Sequence, residues 1–168
     1  MKNEANVAHN GVGIQYLAAI LVFMIGATTM AAENPPGVHV WKATELESRA
    51  AALSQKLDAN KVASETLATE GNTTFMVAHR EGDGLAEWHE TQADVIVITQ
   101  GEVTMTLGGT IVDGKEISPG EIRGASIQGG VQVKMTAGDA EYIPPKTPHR
   151  MTLAPGKKVT YFVTKVTK

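Results

Sequence analysis

The 168-residue chain contains no cysteine. Disulfide staples and thiolate nucleophiles are excluded together. Basic charge is not in excess either: 15 Lys and Arg stand against 18 Asp and Glu, a formal net charge of −3. A protein that grips a long polyanion needs a basic surface to displace phosphate counterions, so no nucleic acid partner is expected. Ser48, Ser54, Ser64, Ser118 and Ser126 all lie outside any GxSxG setting, so no activated serine is visible. No glycine loop that would cradle a phosphate precedes a helix, and there is no internal repeat or low-complexity tract. What is present, 42% hydrophobic and 20% charged residues, is the composition of one ordinary globular domain.

The first 32 residues read as an address. An apolar stretch from Tyr16 to Ile25 precedes the small residues Thr29-Met30-Ala31-Ala32, the order of a secretory signal peptide and its cleavage site. The run is shorter than the roughly 20 apolar residues that cross a bilayer comfortably. A periplasmic or secreted protein is therefore expected, with no stable membrane span after cleavage. The alternative is an uncleaved N-terminal anchor over 11–32.

Residues 33–61 form a linker, marked by Pro35-Pro36-Gly37, and one helix. Thr44 and Glu47 are spaced as a capping box, and Leu46, Ala50, Leu53 and Leu57 fall on one face, which predicts a helix over 44–57. From 62 to 168 the texture changes to short alternating runs. Strands are expected over 62–68, 74–80, 88–89, 94–99, 103–107, 131–135, 141–143 and 159–166. Turn signals separate them, Gln100-Gly101 among them. Many short strands after one leading helix predict an all-β domain, closed or sandwiched and antiparallel. The glycine-rich stretch 113–130 reads as a long connection, either a lid or a floppy loop. Its Arg123 either meets an anionic ligand or stands solvated.

Chemistry must come from His39, His79, His89, His149 and nearby carboxylates. Glu87 and His89 are two apart and share one face of an extended strand. Asp94 opens the next run, and His149 follows Pro144-Pro145 and Pro148 in a rigid corner. If the strands close into a barrel, these four side chains converge. Two imidazoles with one or two carboxylates are the donor set of a non-haem iron, manganese or zinc ion. His79 reads as a packed strand histidine. Trp88 and Glu90 are out of phase with the ligand pair, and Tyr142 reads as core or as a substrate contact.

Two longer patterns resemble a known family. Glu87-Trp88-His89-Glu90-Thr91-Gln92-Ala93-Asp94, followed by Gly101, is similar to the first motif of the cupins, in which HxH, a glutamate and a glycine mark two strands. The run from Gly138 through Pro144 to His149 resembles their second motif. The chain departs from the pattern at Glu87 (a histidine in the family), Asp94 (glutamate), Lys146 (glycine) and Leu153 (asparagine). The resemblance covers about 73–166 and implies a single cupin-type jelly-roll β-barrel. It further implies a divalent metal ion (Fe, Mn or Zn) on His89, His149, Glu87 and Asp94, with Glu87 or Asp94 left as a catalytic acid or base. A small-molecule substrate carrying oxygen donors, dioxygenase or isomerase chemistry, and a homodimer follow as expectations. The other reading is a metal-free binding module that holds a sugar or organic acid without turnover.

Overall fold

In a computed structural model the described residues are 34–168. The expected signal segment lies outside them. Among the described residues no helix is long and apolar enough to cross a membrane.

Among the described residues the one helix, α1, spans Ala43–Leu53 and buries Ala50 and Leu53, the face its apolar spacing predicts. The expected capping box is not formed: Lys42 occupies the N-cap position without a side-chain cap, and the helix ends four residues early, at Leu53, with Ser54 as its C-cap. Arg49 holds it in place by pairing with Glu45 one turn back and with Glu65 on the first strand. Ahead of α1, Trp41 packs on Phe75 and Phe162, with centroids 5.3 and 5.4 Å away, so this segment covers the outer face of the sheet.

Twelve strands follow. They are β1 (Val62–Glu70), β2 (Thr73–Arg80), β3 (Ala86–His89), β4 (Gln92–Leu107), β5 (Thr110–Val112) and β6 (Lys115–Ser118). The rest are β7 (Glu121–Gly124), β8 (Ser126–Gln128), β9 (Val131–Thr136), β10 (Ala140–Ile143), β11 (His149–Thr152) and β12 (Val159–Thr167). Ten form one curled antiparallel sheet in the order β1-β2-β12-β4-β11-β3-β7-β6, with β9 and β10 also on β4, while β5 and β8 pair separately.

Strand β4 makes the curl possible. Gln100-Gly101 is not a turn between two strands, as its composition predicts, but a bend inside one 16-residue strand. Before the bend β4 pairs with β10 and β12, and after it with β9 and β11. Its register against β12 slips by one residue there, between Thr160 and Tyr161. Such a bulge sharpens strand twist. Gly101 sits at φ +83, and a Cβ there would stand 2.1 Å from the Lys158 carbonyl oxygen. Only glycine lets the chain turn this corner.

The stretch 113–130 is likewise not a loop. It contributes β6, β7 and β8, and β7 runs antiparallel to β3 with Glu87 opposite Arg123. Ile98 and Met105, from the two halves of β4, are almost fully enclosed and meet Ile143, Met151 and Val163 in the core. Tyr142 is not part of it; at 60% exposure it faces outward, and Ile143 takes the core position. The barrel keeps a cavity of about 200 Å³, lined from β1, β2, β3, β4, β11 and β12.

Candidate metal centre

The pleat of β3 turns Glu87 and His89 to the interior and Trp88 to a hollow beside Ile111, Ile122 and Pro148. His149 opens β11 directly opposite Glu87. The proline-rich corner before it is tied to the site, because the Lys146 amide donates 2.7 Å to the His89 carbonyl. Lys146 stands where the family has glycine, and it keeps a left-handed backbone at φ 65. The lysine tolerates a conformation that costs a side-chain-bearing residue about 1–2 kcal/mol.

Glu87, His89 and His149 each bring one donor atom to within 4.8 Å of the other two. Glu87 Oε2 lies 3.7 Å from His89 Nε2 and 4.0 Å from His149 Nε2. Donors held about 2.0–2.2 Å from one ion lie roughly 3–4 Å apart, which is this spacing. Both rings are oriented for it. His149 Nδ1 donates 3.0 Å to the Thr147 carbonyl, and His89 Nδ1 bonds the Glu121 carboxylate. A neutral imidazole with its proton on Nδ1 presents a lone pair on Nε2, and carboxylate or carbonyl partners of this kind fix metal-binding histidines. His149 Nε2 is buried with no hydrogen-bond partner. A buried polar atom in that state calls for a ligand, so the residues fit a metal ion. Burial opposes a charge on His149, but the Asp94 and Glu87 carboxylates outweigh it and raise its pKa. The potential that would hold a proton there also favours a cation.

Asp94 reaches the same place by a different pairing. Its Oδ2 lies 3.5 Å from His89 Nε2 and 3.6 Å from His149 Nε2. However, Lys165, its cross-strand neighbour on β12, donates to both of its oxygens at 3.0 and 2.9 Å. Burial pushes the Asp94 carboxyl up, yet His149, His89 and the Lys165 ammonium together hold it well below the usual range. A carboxyl held that low is a poor proton acceptor near neutral pH. Glu87 is partly exposed and pairs at 3.2 Å with Arg123, which also binds Glu121 at 2.7 Å. Arg123, itself partly exposed, is thus paired instead of standing free; it braces two carboxylates of the site. His79 is buried on the opposite face of β2, between Thr160 (2.9 Å) and Glu81 (3.1 Å), as its strand position predicts.

Sequence reasoning missed Glu121, Lys165, Arg80 and Glu141. Glu121 has one faint signal, the alternation Glu121-Ile122-Arg123 within a glycine-rich stretch. Glu141 lies on β10 opposite the inward-facing Ile96, and its two carboxyl oxygens are buried without partners. Burial pushes this carboxyl up from 4.5 to about 7, with His149 opposing and Asp94 assisting. A raised acid adds stability that is fully present below its unfolded pKa and is lost as pH rises through the folded one. Glu141→Gln should therefore stabilise the chain by about 1–2 kcal/mol at pH 8, the full linkage value being reduced by solvent screening of a partly exposed residue. At pH 4 the variant and the parent should unfold alike. Denaturant melts at the two pH values check this, and a difference independent of pH would refute it.

No family sequence model matches the chain, and no curated protein matches it in sequence. Solved structures do. The Cnp3 cupin domain of Schizosaccharomyces pombe aligns at 11% identity and TM-score 0.48, over 64% of this chain and 66% of that one. A cupin superfamily protein of Desulfitobacterium hafniense aligns at 13% and 0.47, over 69% and 88%. The polyketide cyclase RemF of Streptomyces resistomycificus aligns at 14% and 0.46, over 64% and 66%. The chain thus spans slightly less than two thirds of RemF and of the Cnp3 domain. The architecture itself, a curled antiparallel sheet behind one helix, with both motif histidines facing inward, is that of a cupin-type β-barrel.

Proposed function

We propose that this chain is an exported metal-binding barrel in which Glu87, His89 and His149 hold one iron, manganese or zinc ion beside a cavity that receives a small oxygenated molecule. The observation that carries the reading is the buried, unpartnered Nε2 of His149, aimed at a second imidazole and a carboxylate whose spacing suits a shared ion. When bound, the ion supplies Lewis acidity to oxygen donors of the substrate, in isomerase- or dioxygenase-like chemistry. The chain's own residues do the rest. Glu121 and the Thr147 carbonyl fix the two rings, Arg123 steadies Glu87, and Lys165 neutralises Asp94.

Melting the chelated full chain with and without added Mn, Fe or Zn tests the reading. Metal at a hundred times its Kd stabilises by about 2.7 kcal/mol, a rise of roughly 10 °C for a domain of this size. No rise with any of the three would contradict it. Turnover followed in the loaded samples with enediols, hydroxy acids and sugars separates an enzyme from a binder.

One observation favours a metal-free binding module instead. The Lys165 ammonium, bonded to Asp94, also lies 3.4 Å from His89 Nε2, so the chain carries a cation of its own at the edge of the donor set. On that reading metal uptake begins only when Lys165 is replaced by methionine.

Export rests on the first 32 residues; the mature chain should begin near residue 33, as N-terminal sequencing will show, unless the segment persists as an anchor. A homodimer is supported by β9, which pairs only with β4 among the described strands and exposes Val131 (66%) and Val133 (41%). A monomer in light scattering would remove that part.

A further inference from the structure

Glu87 and His149 line the cavity, and the same cavity carries a charge that the three donors do not use. Arg80, the last residue of β2, points into the cavity alongside Met76 and Ala78, the residues two and four places before it. It is only 6% exposed. Its Nε and Nη1 are buried and have no hydrogen-bond partner. A guanidinium stays charged in any protein environment, and burying it without an acceptor is costly.

Three cationic side chains line this cavity, and the other two are occupied. Lys165 is bonded to Asp94, and Arg150 donates 2.8 Å to the Gly84 carbonyl and lies 3.9 Å from Asp83. Among the described residues no carboxylate pairs with Arg80. The fold makes room for the group: a Cβ on Gly84 would stand 3.2 Å from Arg80 Nη1 and 3.1 Å from the Met151 carbonyl. Around it are the hydroxyl-bearing Ser64 and Tyr161, with Ala78 and Val163 supplying apolar walls.

The charge of the centre points the same way. Glu87, Asp94 and Glu121 are offset by Arg123 and Lys165, which leaves one negative charge with neutral imidazoles. A divalent ion brings that sum to one positive charge, and Arg80 adds a second. An anion entering the cavity would meet favourable charge from both groups. The cavity is small, about 200 Å³, which suits a ligand of few non-hydrogen atoms.

We propose that the ligand is a small organic acid whose carboxylate sits on the Arg80 guanidinium while its hydroxyl or keto oxygen faces Glu87, His89 and His149. The inference rests on the metal reading for its second half and on Arg80 alone for its first. The preference for a carboxylate is then a property of the chain even without metal, and metal adds affinity through the second oxygen.

Calorimetry on the full chain, chelated and metal-loaded, with lactate, pyruvate and the uncharged lactamide tests it. Lactate and pyruvate should bind at least about tenfold more tightly than lactamide, a difference of about 1.4 kcal/mol. Arg80→Gln should abolish that preference while leaving metal content unchanged, since Arg80 pairs with none of the three donor residues. Arg80→Lys should retain part of it. Because the lactate–lactamide comparison uses the unaltered protein, a variant that fails to fold does not decide the matter. Equal binding of the acid and the amide by the metal-loaded protein, or no binding of either acid below ~10 mM, would overturn the inference while leaving the metal reading intact. Carboxylate preference in a chain that takes up no metal would sustain the Arg80 subsite and refute the metal reading.

Discussion

Replacing His149 with alanine should remove stoichiometric metal from the protein. The ring supplies a buried donor atom with no hydrogen-bond partner of its own, and two groups cannot hold an ion as three do. Loss of a residue that merely orients a ligand typically costs 10–100-fold in metal affinity, so loss of a ligand should cost more than about 100-fold. Glu121→Gln provides the graded comparison. It acts through His89 Nδ1 and through Arg123, which steadies Glu87, and the expected weakening is about 10–100-fold. Asp94→Asn should weaken metal less than Glu87→Gln does, because Asp94 is already neutralised by Lys165. Competition with a chromophoric chelator measures all four variants. Unchanged affinity in His149→Ala, with the fold retained by circular dichroism, would show that the imidazole is a structural group.

The second large effect is on stability and falls at Gly101. A side chain there must adopt φ +83 and place its Cβ against the Lys158 carbonyl at 2.1 Å. Gly101→Ala should cost about 3–5 kcal/mol, a large part of the 5–15 kcal/mol that holds a typical domain together. Gly156→Ala is the control, because it has a similar φ of +73 but nothing within 4 Å of its Cβ. That variant should lose only the conformational cost, about 1–2 kcal/mol. The difference between the two melts isolates the clash. A Gly101 variant no less stable than the Gly156 variant would mean that β4 can turn its corner in another way. Because Asp94 lies on one half of β4 and His149 pairs with the other, metal affinity should fall along with stability.

Where sequence reasoning succeeded, the signal was local. The two-residue spacing of Glu87 and His89 fixes their shared face, and the Gly138-to-His149 pattern places the second imidazole. The all-β domain behind one helix was legible in the rhythm of short runs and turns, and the barrel in the resemblance carried by the two motifs. Gly101 was misread because a glycine with positive φ serves a turn and an in-strand bulge equally well. The segment 113–130 was misread because its strands are three or four residues long, too short for alternation to stand out among glycines. Lys165 and Arg80 were invisible for another reason. Lys165 matters through its cross-strand partner Asp94, 71 positions away, and Arg80 through two buried nitrogens that have no acceptor, and neither fact exists until the sheet closes. The capping box at Thr44 failed because Lys42 took the N-cap position without it.

The account stands on two imidazole nitrogens and the Glu87 carboxylate sharing one ion. X-ray absorption on the full chain loaded with one equivalent of zinc or manganese addresses that directly. The predicted spectrum shows two imidazole ligands among oxygen donors, with zinc–nitrogen distances of about 2.0–2.1 Å, and loses one imidazole in His149→Ala. A shell of oxygen donors alone, or a chain that retains no metal through desalting, would contradict it.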